Sequence, residues 1–337
     1  MRPFILLLVW IHASILVAQT SDEVIRIGMI GLDTSHSIAF TKLINSSEEE
    51  ALAGMRVVAA YPHGSRDIES SALRIPKYTA EMKKMGIVIK QDLLSLIAQV
   101  DAVLLETNDG RPHLEQVVPV LKAGKPCFID KPIAGSLVDC LAIFQLAKHY
   151  KVPIFSSSSL RYGKATQAAR NGSLGNITGC STWSPCSLEK THPDLFWYGI
   201  HGVESLFTVM GPGVETVTRI QTDQYELVTG VWEDGRIGTF RGLRGGKSGY
   251  GGTAFGISGI GNVGGSDGYV PLVLEIAKFF RTGEVPVNPE ETIDIYAFMA
   301  AADESKRQDF VPVSVKAVIE KAAVEAASKV AALIAAP

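Results

Sequence analysis

The chain has 337 residues, enough for two domains of ordinary size. Hydrophobic residues make up 46% and charged residues 20%, the balance of a folded protein with a real core rather than a disordered or fibrous chain. A formal net charge of -3 without any basic or acidic block argues against a nucleic-acid partner or an anionic membrane surface.

The first segment is an apolar run from Phe4 to Ala18, broken by His12 and Ser14, with Arg2 before it and Gln19, Thr20, Ser21, Asp22 and Glu23 after it. A short positive region, an apolar stretch and a polar exit predict a secretory signal over residues 1–20, cleaved within residues 18–21, and hence a secreted or periplasmic protein. The run is short for a membrane span, so no stable span is expected after signal removal; an uncleaved anchor helix is the competing reading. Without a twin-arginine pair, export of the unfolded chain is expected. Of the four cysteines, only Cys180 and Cys186 are close enough in sequence for a local bridge. Cys127 and Cys140 fall in apolar patterns and read as buried small hydrophobes. No pair has zinc-ligand spacing.

From residue 24 onward, short apolar runs alternate with helical stretches. Strands are predicted over 24–30, 55–60, 87–89, 102–105, 127–129 and 152–155. Helices are predicted over 36–46, 67–85 (interrupted by Pro76), 93–99, 112–123 and 137–150, with caps at Asp92 and Ser136 and a stop at Gly124. This alternation predicts a Rossmann-type α/β domain over 24–155, a doubly wound parallel sheet with helices on both faces. After a polar link at Ser156 to Ser159 the pattern changes. Strands at 179–184, 214–221, 226–232 and 237–243, a glycine-rich stretch at 245–268, and helices at 200–210, 270–282, 290–306 and 314–335 predict an α+β domain over 156–337 with a large, mostly antiparallel sheet.

The turn after the first strand reads Gly31-Leu32-Asp33-Thr34-Ser35-His36. Such a turn lets backbone N–H groups at a helix N-terminus meet a pyrophosphate. Gly31 suits the tight turn, whereas Asp33 and His36 stand where a dinucleotide fingerprint has its second and third glycines. An Asp there adds bulk and negative charge against an anion, while Thr34 and Ser35 retain hydroxyl and amide donors. A plain strand–turn–helix capped by Asp33 or Thr34 is the alternative. The second strand is followed by Tyr61-Pro62-His63-Gly64-Ser65-Arg66 with no acid for a ribose, so His63, Ser65 and Arg66 point to a 2′-phosphate and NADP, or to a solvated turn.

Residues 101–134 carry a more specific pattern: Thr107-Asn108, His113 opening a helix, Ala123-Gly124-Lys125, and Asp130-Lys131-Pro132. In this order they resemble the glucose–fructose oxidoreductase / inositol dehydrogenase (Gfo/Idh/MocA) family, with Asp130 in place of the usual Glu. Arg161-Tyr162, Gly175-Asn176-Ile177 and the segment Trp197-Tyr198-Gly199-Ile200-His201 extend the likeness over roughly residues 24–320. The resemblance implies that Lys131 orients a substrate hydroxyl beside a nicotinamide and that His201 is the general base. It further implies cofactor contacts at Gly31, Asp33, Thr34, Ser35, His36, Arg66, Thr107, Asn108, His113, Asp130, Lys131 and Pro132. Substrate contacts are implied at Arg161, Trp197 and Tyr198. Trp197 replaces an Asp common in the family four residues before the histidine, giving an aromatic wall suited to a sugar face. His192, Asp194 and Glu204 are further polar candidates, but their spacing fits no zinc signature and no metal is expected. Arg244, Lys247 and Tyr250 either flank the cleft or belong to a surface loop.

Two functions compete on these residues. One is an exported oxidoreductase using NAD or NADP, held tightly through turnover, on a sugar, cyclitol or related polyol. The other is an exported cofactor-free carbohydrate-binding or sensor protein on a degenerate oxidoreductase scaffold. The family resemblance also implies homo-oligomers formed through the sheet of the second domain.

Overall fold

The computed structural model describes residues 24–336; the expected secretory signal lies outside the described residues. Six short strands form the first sheet: β1 (Ile25–Ile30), β2 (Met55–Tyr61), β3 (Val88–Ile89), β4 (Ala102–Leu105), β5 (Cys127–Asp130) and β6 (Ile154–Ser157). Between them run α1 (Ser35–Ser46), α2 (Glu69–Ala72), α3 (Arg74–Lys84), α4 (Leu93–Ile97), α5 (His113–Lys122) and α6 (Leu137–Tyr150). All pairings are parallel, in the order β3-β2-β1-β4-β5-β6. Every residue of β4, β5 and β6 is buried, as expected for strands covered by helices on both faces. The order reverses between β1 and β4, which opens a crevice at their carboxyl ends. The helical stretch predicted over 67–85 divides at Leu73, and Pro76 falls in the first turn of α3, where its missing N–H costs no intrahelical bond.

The second half contains α7 (Lys164–Arg170), β7 (Ile177–Pro185), α8 (Asp194–Trp197), α9 (Ile200–Met210), β8 (Val214–Gln221), β9 (Tyr225–Trp232), β10 (Ile237–Leu243), β11 (Gly251–Gly256) and β12 (Gly259–Val263). It ends with α10 (Val270–Thr282), α11 (Pro289–Arg307), β13 (Val313–Ser314) and α12 (Val315–Ala335). The sheet order is β12-β11-β7-β10-β9-β8-β13; only β7 and β10 pair in parallel. The glycine-rich stretch is therefore not a plain loop, since much of it forms the hairpin β11–β12 on the edge of β7. Its glycines hid that pairing from a propensity argument, yet they are required: a Cβ on Gly256 would lie 2.2 Å from the Leu174 carbonyl oxygen. Helices α9 and α11 cover one face of the sheet, and Trp183, Ile237 and Phe255 remain exposed on strands β7, β10 and β11.

The chain does not divide cleanly at residue 155. β6 runs through Ser157. Helix α10 returns to the first sheet, where Leu272, Val273, Ile276 and Phe279 share one apolar cluster with Ile27, Met29, Phe40, Phe128 and Phe155. Helix α12 packs on α6, and Lys329 pairs with Asp139 at 2.8 Å. The two halves are thus held against each other by shared cores.

The cysteines are all free and buried, so the local Cys180–Cys186 bridge does not form. Cys180 lies within β7, while Cys186 follows it and places its thiol 3.2 Å from Glu226 Oε1.

Arg161 is also placed in the core. Its guanidinium meets Glu204 at 2.8 Å and Glu291 at 2.5 Å, joining the segment after β6 to α9 and α11. The resemblance implied a substrate contact, but both carboxylates are buried and consume this charge. Replacing Arg161 by Met would leave buried Glu204 without its ion-pair partner, while Glu291 keeps Arg170 at 3.0 Å, at a cost of about 3–5 kcal/mol. Urea unfolding of Arg161→Met, compared with the parent chain, measures that loss.

Candidate active site

A cavity of about 650 Å³ opens at the carboxyl ends of the first sheet. Its floor comes from the Rossmann half: Thr34, Ser35 and His36 at the start of α1, Asn108 after β4, and Lys131 and Pro132 after β5. Its wall comes from the second half: Trp197, Tyr198, His201, Tyr250 and Tyr269. Such a position, beside the reversal of strand order, is where open parallel sheets bind ligands.

The turn after β1 decides whether a dinucleotide suits this crevice. Gly31 has φ +89°, and a Cβ there would lie 2.5 Å from the Thr107 backbone nitrogen, so the first glycine is obligatory. Thr34 caps α1, accepting the His36 N–H at 3.4 Å, and no acid lies in the first turn. That leaves an anion-attracting helix end facing the cavity. Asp33 was expected to oppose an anion, but its carboxylate turns away from the cavity. It is fully buried and accepts the backbone N–H groups of Ser65 at 2.8 Å and Asn108 at 3.0 Å. Burial raises its pKa, against the lowering effect of those two bonds. Gly64 permits this packing, since a Cβ there would lie 2.3 Å from the Asp33 carboxylate.

A second cavity of about 340 Å³ lies on the far side, lined by Tyr61, His63, Gly64, Arg66, Asp67 and Arg111 among others. Asp33 touches Gly64 of this cavity and Asn108 of the larger one, so it stands between them. The residues present therefore fit the pyrophosphate and nicotinamide portions of a dinucleotide. Ser65, read from the sequence as a phosphate ligand, is buried and bonds Asp109 at 3.0 Å instead. Arg66 remains exposed at the rim.

Beneath the floor lies a dense charged cluster. β4 and β5 are adjacent in parallel, which sets Glu106 and Asp130 side by side at their carboxyl ends. His36 Nδ1 approaches Asp130 Oδ2 at 2.8 Å and Glu106 Oε2 at 4.0 Å. Lys131 Nζ lies 3.3 Å from the same Asp130 oxygen. Burial would raise the Asp130 pKa, but His36 and Lys131 hold it low. Burial drives Glu106 well upward, and the charge on Asp130 adds to that. For Lys131, desolvation is outweighed by Asp130 and Glu106, so its pKa rises and the ammonium stays charged. Glu106 went unnoticed in the sequence, although a charge closing the apolar run Ala102 to Leu105 is a usable signal.

His201 faces Lys131 and His36 across the cavity from the first turn of α9. Its Nδ1 lies 2.9 Å from Ser158 Oγ, and the rings of Tyr198 and Tyr250 stand edge-on to it. Desolvation, with the charges on Lys131 and His36, pushes its pKa well below the ordinary value, so the imidazole is neutral at neutral pH.

The remaining candidates divide plainly. Trp197 and Tyr198 line the cavity, and Tyr250 joins them from the glycine-rich stretch. Tyr269, not foreseen, packs edge-on against His36 at 4.7 Å between ring centres. His113 is fully buried beneath the floor, its ring nitrogens 2.8 Å from the Thr107 carbonyl and 3.1 Å from that of Ile133, so it fastens the two loops that frame the site. Thr107 bonds Gln116 at 2.8 Å. His192, Asp194 and Glu204 do not converge: His192 pairs with Asp109 at 3.0 Å, Asp194 with Arg219 and Lys306, and Glu204 with Arg161.

Removing the Asp33 bridge tests its structural role. Asp33→Ala leaves two inward N–H groups unpaired, with an expected loss of about 1–3 kcal/mol for each group left buried and unsatisfied. A reduced urea midpoint with an unchanged slope is the expected result.

Comparison with known proteins places this geometry. Residues 25–157 match the family described as Gfo/Idh/MocA, oxidoreductase family, NAD-binding Rossmann fold. An uncharacterized oxidoreductase of Streptococcus pneumoniae is 25% identical over 154 residues, which span 40% of this chain and 41% of that protein. An inositol 2-dehydrogenase of Gluconacetobacter diazotrophicus is 33% identical over 96 residues, 28% of this chain and 26% of that protein. The chain thus matches less than half the length of these curated relatives. Among solved structures, the scyllo-inositol dehydrogenase of Lactobacillus casei with bound NAD(H) and scyllo-inositol superposes with a TM-score of 0.68 at 16% identity, over 87% of this chain and 100% of that one. A probable dehydrogenase of Thermotoga maritima gives 0.69 at 21% identity, over 87% and 100%. These structural likenesses establish the shared two-domain fold.

Proposed function

We propose that this chain, whose residues 25–157 match the Gfo/Idh/MocA family of NAD-binding oxidoreductases, is a dinucleotide-dependent dehydrogenase acting on a CH–OH group of a sugar, cyclitol or related polyol. One observation carries the reading: a charged lysine and a neutral histidine face the same cavity beside an unopposed helix N-terminus. The amides and hydroxyls of Thr34 and Ser35 would hold the pyrophosphate, and Lys131 and Pro132 would border the nicotinamide. When bound, the nicotinamide supplies a hydride acceptor.

The protein's own groups handle the proton. Lys131, kept as an ammonium by Asp130, donates a hydrogen bond to the substrate hydroxyl and fixes its direction. His201 accepts the hydroxyl proton at Nε2, which requires its Nδ1–H to donate to Ser158 Oγ. Trp197 and Tyr198 offer flat apolar surface to the CH-bearing face of a ring. The names of the inositol dehydrogenases support a cyclitol or sugar as the substrate class. Arg66 at the far cavity is the group available to a 2′-phosphate and so to NADP. For an exported protein, the location the N-terminal sequence suggests, the cofactor would stay bound and be regenerated within each turnover. A second copy pairing through Trp183, Ile237 and Phe255 would cover the open sheet face, and light scattering reads that mass directly.

The Asp33 bridge between the two cavities favours one other reading, a cofactor-free carbohydrate-binding or sensor protein. Denaturing the purified chain and identifying released small molecules by absorbance and mass separates the two. Released NAD(H) or NADP(H) supports the dehydrogenase; none released, and none bound on titration, contradicts it. Once a substrate is in hand, Lys131→Ala and His201→Ala should each lower kcat by about 10²–10⁴-fold. The low His201 pKa also sets the sign of the pH dependence. Oxidation should hold steady as pH falls through the ordinary histidine range and decline only at more acidic pH, where the imidazole finally protonates. A kcat/KM profile falling with a midpoint at an unperturbed histidine value contradicts the assignment.

A further inference from the structure

We propose that His36, Glu106 and Asp130 form a binding site for one divalent first-row cation such as Zn²⁺ or Mn²⁺, with its open face toward the large cavity. The three side chains come from α1, the end of β4 and the end of β5, and their ligand atoms all lie within 4.8 Å of one another. Around an ion with bonds of about 2.1 Å, neighbouring ligand atoms stand about 3–3.5 Å apart, so the trio needs shifts of about an ångström or less to close. An imidazole with two carboxylates suits borderline cations better than Ca²⁺, which takes an all-oxygen shell.

The second observation is the state of Glu106. It is fully buried, and neither carboxylate oxygen has a hydrogen-bond partner among the described residues. Asp130 Oδ1 is likewise unpartnered, while Lys131 and His36 both converge on Oδ2. Three buried carboxylate oxygens therefore lack a donor at the ends of two adjacent strands. A buried unpaired carboxylate is strongly disfavoured unless a proton or a cation meets it. His36 Nδ1 stands 4.0 Å from Glu106 Oε2 and 2.8 Å from Asp130 Oδ2, so a single ion is within reach of all three side chains. His36 also borders the cavity, so a water or a substrate oxygen from there can complete the coordination. His36 stands at the third glycine position of the turn, so the residue that departs from the dinucleotide pattern is the one that completes the cation site.

The test needs no dinucleotide and no turnover, so its outcome is independent of the proposed dehydrogenase activity. The full chain, stripped with a chelator, is dialysed against Zn²⁺ or Mn²⁺, and bound metal is measured by mass spectrometry. A crystal soaked in Zn²⁺ is examined for anomalous scattering at the zinc edge. The expected results are one ion per chain, at least a tenfold loss of affinity in Glu106→Gln, and one anomalous peak between His36 Nδ1 and the two carboxylates. Absence of stoichiometric binding, a peak elsewhere, or a folded Glu106→Gln that binds like the parent overturns the proposal. If Glu106→Gln fails to fold, the anomalous peak of the parent chain decides alone.

Discussion

Two carboxylates buried at the ends of neighbouring parallel strands are the constraint around which the site is arranged. Glu106 and Asp130 cannot avoid each other, because β4 and β5 pair in register up to Leu105 and Ile129. The Asp130 carboxylate, held ionised, draws Lys131 and His36 toward it, whereas burial and that charge drive Glu106 well above the usual carboxylate range. Lys131 stays charged against its own burial, and His36 is held at the base of α1. Burial, joined by the Lys131 ammonium across the cavity, keeps His201 neutral. One electrostatic arrangement thus sets apart the protonation states of lysine and histidine, as acid–base chemistry requires.

The cavity exists because the two halves share their cores. Helix α10 lies on the first sheet, and α12 lies on α6, so the second sheet is not a loosely tethered module. Helix α9 carries His201 to the carboxyl ends of the first-sheet strands, and Arg161 anchors that helix through Glu204. A side chain at such a junction keeps its place only if the buried ion network beneath it is intact. Arg161 therefore serves the site through position rather than contact.

The turn after β1 shows how a sequence pattern is lost while its structural role is retained. Gly31 still allows the strand to pass close to Thr107. Asp33 replaces a glycine whose virtue is the absence of a side chain, and the structure disposes of that side chain by pairing it with two backbone N–H groups. The bond network ties the ends of β1, β2 and β4 together. His36, in place of another glycine, stacks on Phe40 with ring centres 5.2 Å apart and reaches the buried carboxylates. Both departures from the glycine pattern are absorbed by partners far away in sequence.

What the amino-acid order determined by itself was periodic or local. The alternation of apolar runs with amphipathic stretches specified the parallel sheet, because strands covered on both faces must be apolar throughout. Lys131-Pro132 and His201 stood out through their neighbours in the chain, and Trp197 with Tyr198 followed from the same segment. The hairpin β11–β12 escaped because glycine has no strand preference, and only the close approach of Leu174 explains its use. Tertiary structure alone decided the rest. It turned Asp33 away from the crevice, withdrew Arg161 and His113 into the core, and brought His36 to a carboxylate 94 residues away. Periodicity reports which face of an element is buried, but a charge finds its partner through space, and that distance exists only once the strands have been ordered.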